Sequence, residues 1–439
     1  METPATEISE PSAATAPEAK PRWGGGRPLL VAWALTRTVS LLQWRLLGLD
    51  IHGDVSYYWE SMTRIAVTGP GGLMPEYPAP MLWFFGLLHS ALGGHRIGFL
   101  AAFAGTMLLL DGLFTWGLHR LGGRDGRRAS GFWILFLWLL GPVVWFRFDL
   151  IPAVLSGAGL LLALQRFPAG AGSTLAAGAA SKLVPAILWP ALLADTGGLT
   201  PAGLRRRRIG ITAEFLSAGI VLAVLSWLYA GWDRLLSPLA WQSDRGLQIE
   251  SIWATPLMLG RWLEPGRFIV RLSEFNSFEI YGSGRREALA AADASMIAGF
   301  ILVALAYGHW FHRRQASPFP GQLAALLAVT TLIATNKTLS PQYLLWLGGP
   351  MAALLIAGGL LEPGRARRRN RRLALQLAGA LLLLGALTSL VFPYGYSGLF
   401  MRNGLTPAAT MVLIARNAGL IAWLFWLAIL VFRGRPRIS

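Results

Sequence analysis

The chain has 439 residues, 54% hydrophobic and only 14% charged, with 39 basic against 22 acidic residues for a net charge of +17. A soluble protein carries roughly a quarter charged residues to coat its surface, so this composition excludes a string of soluble domains and points to a polytopic membrane protein. The basic excess could suit nucleic acid, but long aromatic-rich apolar runs make loops facing anionic lipid the better reading, and the absence of cysteine excludes disulfide and thiolate chemistry.

Residues 1–27 are rich in Pro, Ala, Thr and Glu and read as a disordered tail. Four acids (Glu2, Glu7, Glu10, Glu18) stand where a signal peptide would be basic. Arg22 and Arg27 then mark the start of the first apolar segment as cytoplasmic. A span needs about 20 largely apolar residues. Candidates lie near 28–48, 79–94, 96–118, 131–147, 149–166, 171–194, 209–231, 289–311, 319–335, 341–360, 373–391 and 408–432. This predicts an all-α transmembrane domain over 28–432 with about twelve spans, both termini cytoplasmic, and a basic tail at 433–439.

Charge supports the count in most places. The basic clusters at 205–208, 312–314, 365–372 and 433–437 fall on the cytoplasmic side, as the positive-inside rule requires. The outer loop 50–78 sets Asp50, Asp54, Glu60 and Glu76 against Arg64, and the outer loop 232–290 balances seven Arg with seven acids. Arg120, Arg124, Arg127 and Arg128 disagree, because a strict count puts them outside. The segments 79–94 and 131–147 are short enough to dip without crossing, which spreads the count over 10–13. Within 232–290, the apolar-periodic stretch 252–272 is expected to lie flat on the outer leaflet and 276–284 to form a mobile loop. No internal repeat is visible, which weighs against an inverted-repeat transporter.

Five clusters could carry chemistry. Asp54 lies near Tyr58 after the first span, and the same loop ends at Glu76-Tyr77-Pro78-Ala79-Pro80. Aromatic faces stack on sugar rings and a carboxylate can accept a hydroxyl proton, although a solvated interfacial loop has the same composition. Arg147-Phe148-Asp149 follows, where charge is costly unless paired or functional; an Arg147–Asp149 ion pair is the structural alternative. Lys182 sits mid-segment, too deep to snorkel, so it faces an acid such as Asp149 or lines a polar cavity, with Pro185 and Pro190 kinking the helix. Arg245-Gly246 and Gln248 to Glu250 form a run dense in hydrogen-bonding groups, where glycine would let the backbone approach a ligand; a solvated turn is the alternative. Lys337 heads a polar run through Gln342 and Tyr343 with no acid nearby in sequence, the composition of a phosphate pocket or of a snorkelling interfacial lysine. Lysine is rare here: the chain has only Lys20, Lys182 and Lys337.

These motifs, in this order over 28–432, resemble the polyprenyl-phosphate-sugar-dependent glycosyltransferases of the GT-C superfold. The similarity is closest to bacterial glycosyltransferase family 87 mannosyltransferases and extends more distantly to the mannosyltransferase of GPI-anchor assembly. The matching segments are Asp54 with Tyr58-Trp59, Tyr77-Pro78-Ala79-Pro80, Lys182-Leu183-Val184-Pro185, the run from Arg245 through Glu250 to Ser251, and Lys337 through Ser340-Pro341-Gln342-Tyr343. The resemblance implies a GT-C-like bundle in a bacterial plasma membrane with its site at the outer face. It also implies transfer of a sugar, mannose by this likeness, from a polyprenyl-phosphate donor to an envelope glycolipid or polysaccharide by an inverting displacement. Asp54 would be the catalytic base. Lys337, Arg245 and Arg147 would offset charge on the leaving phosphate, and Gln342, Tyr343 and Tyr58 would contact sugar, with Lys182, Glu250 and Tyr77 in the same binding set. Where related enzymes carry Asp-x-Asp this chain has Asp54-Val55-Ser56, which favours a reaction without metal or other cofactor. No Gly-rich phosphate loop is present, and no nucleic-acid partner is expected. The alternatives are a lipid-linked-sugar flippase or transporter, with polar groups through the midplane, and a non-catalytic envelope-assembly protein.

Overall fold

The computed structural model describes residues 26–433 except 93, 166–167, 265, 314–316 and 361–363. The expected tails at 1–27 and 433–439 lie almost wholly outside the described residues, as does part of the 312–314 cluster. Among the described residues the architecture is all-α with one small hairpin. In chain order the first helices are α1 (Gly26–Leu46), α2 (Gly53–Thr68), α3 (Ala79–Ala91), α4 (Arg96–Leu121), α5 (Gly126–Leu140), α6 (Leu150–Ala163), α7 (Ala171–Ser181), α8 (Trp189–Leu192) and α9 (Pro201–Ala230). Then come α10 (Trp232–Asp244), α11 (Thr255–Leu263), the antiparallel pair β1 (Phe268–Leu272) and β2 (Phe278–Gly282), and α12 (Arg285–Arg313). The chain closes with α13 (Pro318–Thr335), α14 (Leu345–Ala357), α15 (Arg365–Ser389), α16 (Tyr396–Phe400) and α17 (Thr406–Phe432).

Among the described residues, six helices (α4, α9, α12, α13, α15 and α17) are long and apolar enough to cross a membrane. Their placement follows composition. On α9 and α12, large apolar side chains such as Leu216, Ile220, Ile297 and Ile301 point outward, as they would toward lipid. By contrast α13 is buried along most of its length and forms the centre of the bundle. Small residues let its neighbours close up. Gly157 of α6 faces Gly349 of α14 so tightly that a Cβ at either would lie within 3 Å of the other's Cα, the close crossing that small residues allow between membrane helices.

The other helices are short, and this shapes the site. At 1.5 Å per residue, α6, α7 and α14 extend about 21, 16 and 20 Å, against a hydrocarbon core of about 30 Å. Each stops near one level of the bundle, and the chain continues there as 3₁₀ turns or extended backbone at 142–149, 182–188 and 336–344. Irregular backbone at such depth is tolerated where it lines a polar cavity.

Contacts assign the elements to two ends. At one end Asp125 takes Arg371 (2.6 Å), Arg367 (4.0 Å) and Arg128. Gln165 donates to the Leu121 carbonyl (3.2 Å), and Arg207 reaches the carbonyls of Ala194 (2.6 Å) and Ala163. The opposite end holds Asp54, Arg147, Lys182 and Tyr343 around a cavity.

This arrangement bears on one segment that the sequence left open, 79–94, and corrects the reading of another, 171–194. Segment 79–94 does not run between the ends: α3 starts at the cavity beside Pro78, and beyond it Gly94 accepts from Trp59 Nε1 (2.7 Å) of α2. Segment 171–194 runs between them twice, because α7 ends at Ser181 and the turns after Lys182 return to Leu193 and Ala194, which accept from Arg208 and Arg207. The two changes cancel in parity, and they bring the 120–128 arginines to the same end as 365–372. The 232–290 region also departs from expectation. The stretch 252–272 holds α11, whose Leu257 and Met258 are buried, and the supposed loop 276–284 is largely β2. Together with Val391, Leu399 and Leu413, residues Leu247, Ile249 and Ile280 build a separate apolar cluster that caps the cavity end.

Candidate active site

A cavity of about 780 Å³ lies among these broken helices, and residues from all five sequence clusters line it. Asp54, Tyr77, Arg147, Lys182, Arg245, Glu250, Gln342 and Tyr343 all reach it. Its mouth carries Trp241 and Phe275, whose rings meet edge to face at 5.0 Å, with Leu272 and Asn276 from the hairpin.

Asp54 sits in the first turn of α2 and pairs with Arg147 (Oδ2 to Nη1, 3.1 Å). Arg147 also donates to the Ile51 carbonyl (3.3 Å), which ties the start of α2 to the 142–149 turn. About a quarter of the Asp54 side chain is open (26%), toward the cavity. Burial pushes its carboxyl above the ordinary carboxylate range; Arg147 pulls it back, Asp149 raises it further, and Lys182 and Arg245 oppose. A carboxylate raised in this way is a stronger base than one in water.

Asp149 is the buried counterpart. Its Oδ1 accepts from Lys182 Nζ (2.7 Å) and Trp346 Nε1 (2.9 Å). The Lys182 ammonium lies 5.0 Å from the Phe148 ring, 5.0 Å from Tyr343 and 4.8 Å from Trp346, inside an aromatic cage. The pairing weighed from sequence, Arg147 with Asp149, is replaced by a crossed one: Arg147 holds Asp54 and Lys182 holds Asp149.

Arg245 differs from both. Among the described residues it is a cavity cation with no carboxylate within salt-bridge distance, and its Nε is buried without a partner. The glycine beside it serves packing and not a ligand: a Cβ at Gly246 would collide with Glu279, whose Oε1 accepts from the Gly246 amide (3.1 Å). Glu250 is buried against Arg416 at 3.6 Å, with Oε2 otherwise unpartnered, and burial raises its carboxyl to about 7, with Arg416 and Arg147 opposing. Arg416 and Asn417 of α17 hold this segment by its backbone, donating to the Glu250 carbonyl at 2.9 and 3.3 Å.

Two sequence candidates fall off the cavity surface. Lys337 donates to the Ser243 carbonyl (2.7 Å) and lies 3.9 Å from Asp293, an acid 44 residues back that brings the carboxylate the sequence neighbourhood lacked. Its own carbonyl accepts from the Gln248 amide (3.2 Å), so Lys337 ties the 245–250 segment to α10. Tyr58 is fully buried, stacked on Phe85 at 4.3 Å, and sits behind the cavity wall, against Tyr77 (hydroxyls 3.3 Å apart) and edge-on to Phe148 at 6.5 Å. Glu76 stood in the first loop cluster and Trp241 at the head of the polar run through Arg245 to Glu250, but neither was assigned a role from sequence; Phe392, Tyr396 and Arg416 carried no sequence signal. Arg416 and Tyr396 come from helices more than 140 residues away in sequence. Arg37, an awkward charge in the first span, is satisfied by Asp111, which also accepts from Trp133 Nε1 (2.7 Å); neither Arg37 nor Asp111 lines the cavity. Among the described residues no three His, Cys, Asp or Glu converge as a metal site would need.

No protein-family model matches the chain, and no curated protein matches it.

Proposed function

We propose that the protein is an integral-membrane glycosyltransferase. It moves a sugar, mannose by the resemblance above, from a polyprenyl-phosphate donor to a glycolipid or polysaccharide acceptor of the cell envelope. The observation that carries this reading is the convergence of five separate motifs on one cavity, lined both by a partly open carboxylate, Asp54, and by a guanidinium, Arg245, with no acid in salt-bridge distance among the described residues.

The chemistry follows from those two groups. Asp54 takes the proton of an acceptor hydroxyl as its oxygen forms a bond to the anomeric carbon. The bond from that carbon to the phosphate oxygen breaks, and its electron pair leaves with the phosphate. Arg245 stabilises the growing charge; a positioned donor of this kind in a water-poor site contributes about 3 kcal/mol to barrier lowering. Attack opposite the leaving group inverts the anomeric configuration. Tyr77, Gln342 and Tyr343 are on the cavity wall to contact sugar, and Lys182 with Asp149 holds the Tyr343–Trp346 pair in place. The acids Asp50, Glu60, Glu76 and Glu274 elsewhere on the lining suit sugar hydroxyls.

In the proposed orientation the arginine-rich end is cytoplasmic and the cavity faces outside. The chain crosses as α1, α4, α5, α6, α7, the 183–194 return, α9, α12, α13, α14, α15 and α17, which makes twelve crossings with both termini inside. All the arginine clusters then obey the positive-inside rule, including 120–128, the one group at odds with the sequence count. A flippase would need a polar path between the ends; the Arg37–Asp111 pair is a closed, buried ion pair that does not line the cavity and so does not extend it.

The test is transfer itself: full-length protein in membranes, radiolabelled polyprenyl-phosphate mannose, and an envelope-lipid acceptor pool. A labelled glycolipid of inverted anomeric configuration supports the proposal. Hydrolysis alone, or translocation of intact donor without a new glycosidic bond, overturns it.

A further inference from the structure

A second cavity of about 290 Å³ opens beside the first, lined by His52, Val55, Ser56, Arg96, Ile97 and Leu100. Ser56 lines both, so the two cavities share a wall on α2 two residues past Asp54. The cleft combines polar and apolar features that nothing in the proposed reaction uses. Arg96, exposed at the start of α4, makes one hydrogen bond among the described residues, from Nη2 to the neutral Ser56 Oγ (3.0 Å). No side chain caps α4, so its first-turn amides are free for an anion and the helix dipole favours one. His52, edge-on to Trp44 at 6.2 Å, has a buried Nδ1 with no hydrogen-bond partner; the nearest acid, Asp50, is 3.8 Å away and points into solvent at 89% exposure.

The apolar side decides what kind of anion fits. Ile97 is 84% exposed at the rim, and the flanking helices α1 and α4 expose Leu42, Leu46, Leu109 and Leu113. A free phosphate would find no use for such a wall, whereas a lipid would lay its chain along it.

We propose that this cleft binds the phosphate of a lipid from the surrounding leaflet, with Arg96 and the first-turn amides of α4 on the phosphate oxygens and the chain against Ile97 and Leu100. Arg245 does not line it, so a lipid headgroup here would occupy a different cavity from the one assigned to the leaving phosphate, across their shared Ser56 wall. Only the identity of the lipid, a substrate of the enzyme, rests on the glycosyl-transfer reading.

Native mass spectrometry of the full-length protein in detergent tests the site without any transfer reaction. The protein is titrated separately with polyprenyl phosphate, phosphatidylglycerol and inorganic phosphate. Arg96→Ala should weaken binding of a lipid phosphate about tenfold or more, as loss of a charge-assisted contact does. Ile97→Asp should weaken it too, while Arg64→Ala, exposed on the same α2 helix, should leave it unchanged. Either lipid losing affinity on Arg96→Ala supports the site, and the one that does so names the source. Lipid binding unchanged in Arg96→Ala overturns the proposal, as does inorganic phosphate displacing the lipid as well as a second lipid does. Arg96-dependent binding without sugar transfer would remove the enzymatic reading and leave this site standing.

Discussion

Asp54 and Asp149 are each paired with one cation, yet only Asp54 keeps the open face that the proposed proton transfer needs. Asp149 is sealed by Lys182 and the Trp346 indole, a pairing that fixes aromatic rings and spends no charge on a ligand. Asp54 keeps an open flank on the cavity. The cations divide in the same way, since Arg147 and Lys182 each face an acid and Arg245 does not. Arg245→Ala should therefore raise KM for the lipid-phosphate donor and lower kcat by about a hundredfold, the loss typical of a missing oxyanion donor. Lys337→Ala should lower thermal stability and activity together with donor KM little changed, because its ammonium ties the Ser243 carbonyl and not a phosphate. Steady-state kinetics of the two variants separates these roles. Glu250 gives a pH prediction. Its carboxyl is raised from 4.5 to about 7 in the folded protein, so folding favours the protonated form. That stabilisation, of the order of 3 kcal/mol, is full below about pH 4.5 and is lost as pH rises through about 7. Detergent melts of wild type and Glu250→Gln should thus show the wild type falling relative to the variant between pH 5 and 8; parallel curves would reject the assignment.

Helices that stop short make the cavity, and the reasons are local. Pro185 has no N–H to offer the Ser181 carbonyl four residues back and its ring crowds that carbonyl, so α7 ends at Ser181 and the chain turns back. Ser340-Pro341 does the same ahead of α14. Both breaks were legible as odd residues in apolar runs. Their consequence was not, because a hydropathy window sees one long segment at 171–194 where two half-length passes meet. The converse holds for α3, which is as apolar as a span yet has both flanks hydrogen-bonded at the cavity end; its short length and the misplaced 120–128 arginines were the sequence signs of this, but its partners Trp59 and Arg234 were not legible there. Close helix crossing at the level below the cavity predicts a steric cost. Gly157→Val would push a side chain into Gly349 and Phe114, and overpacking of this kind costs about 1–3 kcal/mol, readable as a lower melting temperature in detergent.

At the scale of the whole molecule, charge orients the chain and the cavity gathers what charge does not explain. The rare lysines located the right neighbourhood but divided in role: Lys182 reaches the cavity and Lys337 braces the segment behind it. Arg416 was out of reach of sequence reasoning, since its partner Glu250 lies 166 residues away and only folding joins them. The absence of cysteine makes the proposed topology directly testable. Arg127→Cys should label with an impermeant thiol reagent only after the membrane is opened, while Asp50→Cys should label in intact cells. Labelling of Arg127→Cys from outside would reverse the assignment of ends.

The central claim is that the Asp54 carboxylate removes a proton from an acceptor hydroxyl during glycosyl transfer. Its most direct test is the initial rate of sugar transfer from polyprenyl-phosphate mannose by purified wild type and Asp54→Asn, with donor binding measured on the same preparations. A side chain of the same shape that cannot take the proton should leave donor binding nearly intact and lower the rate by about a hundredfold or more. Transfer by Asp54→Asn at the wild-type rate would contradict it.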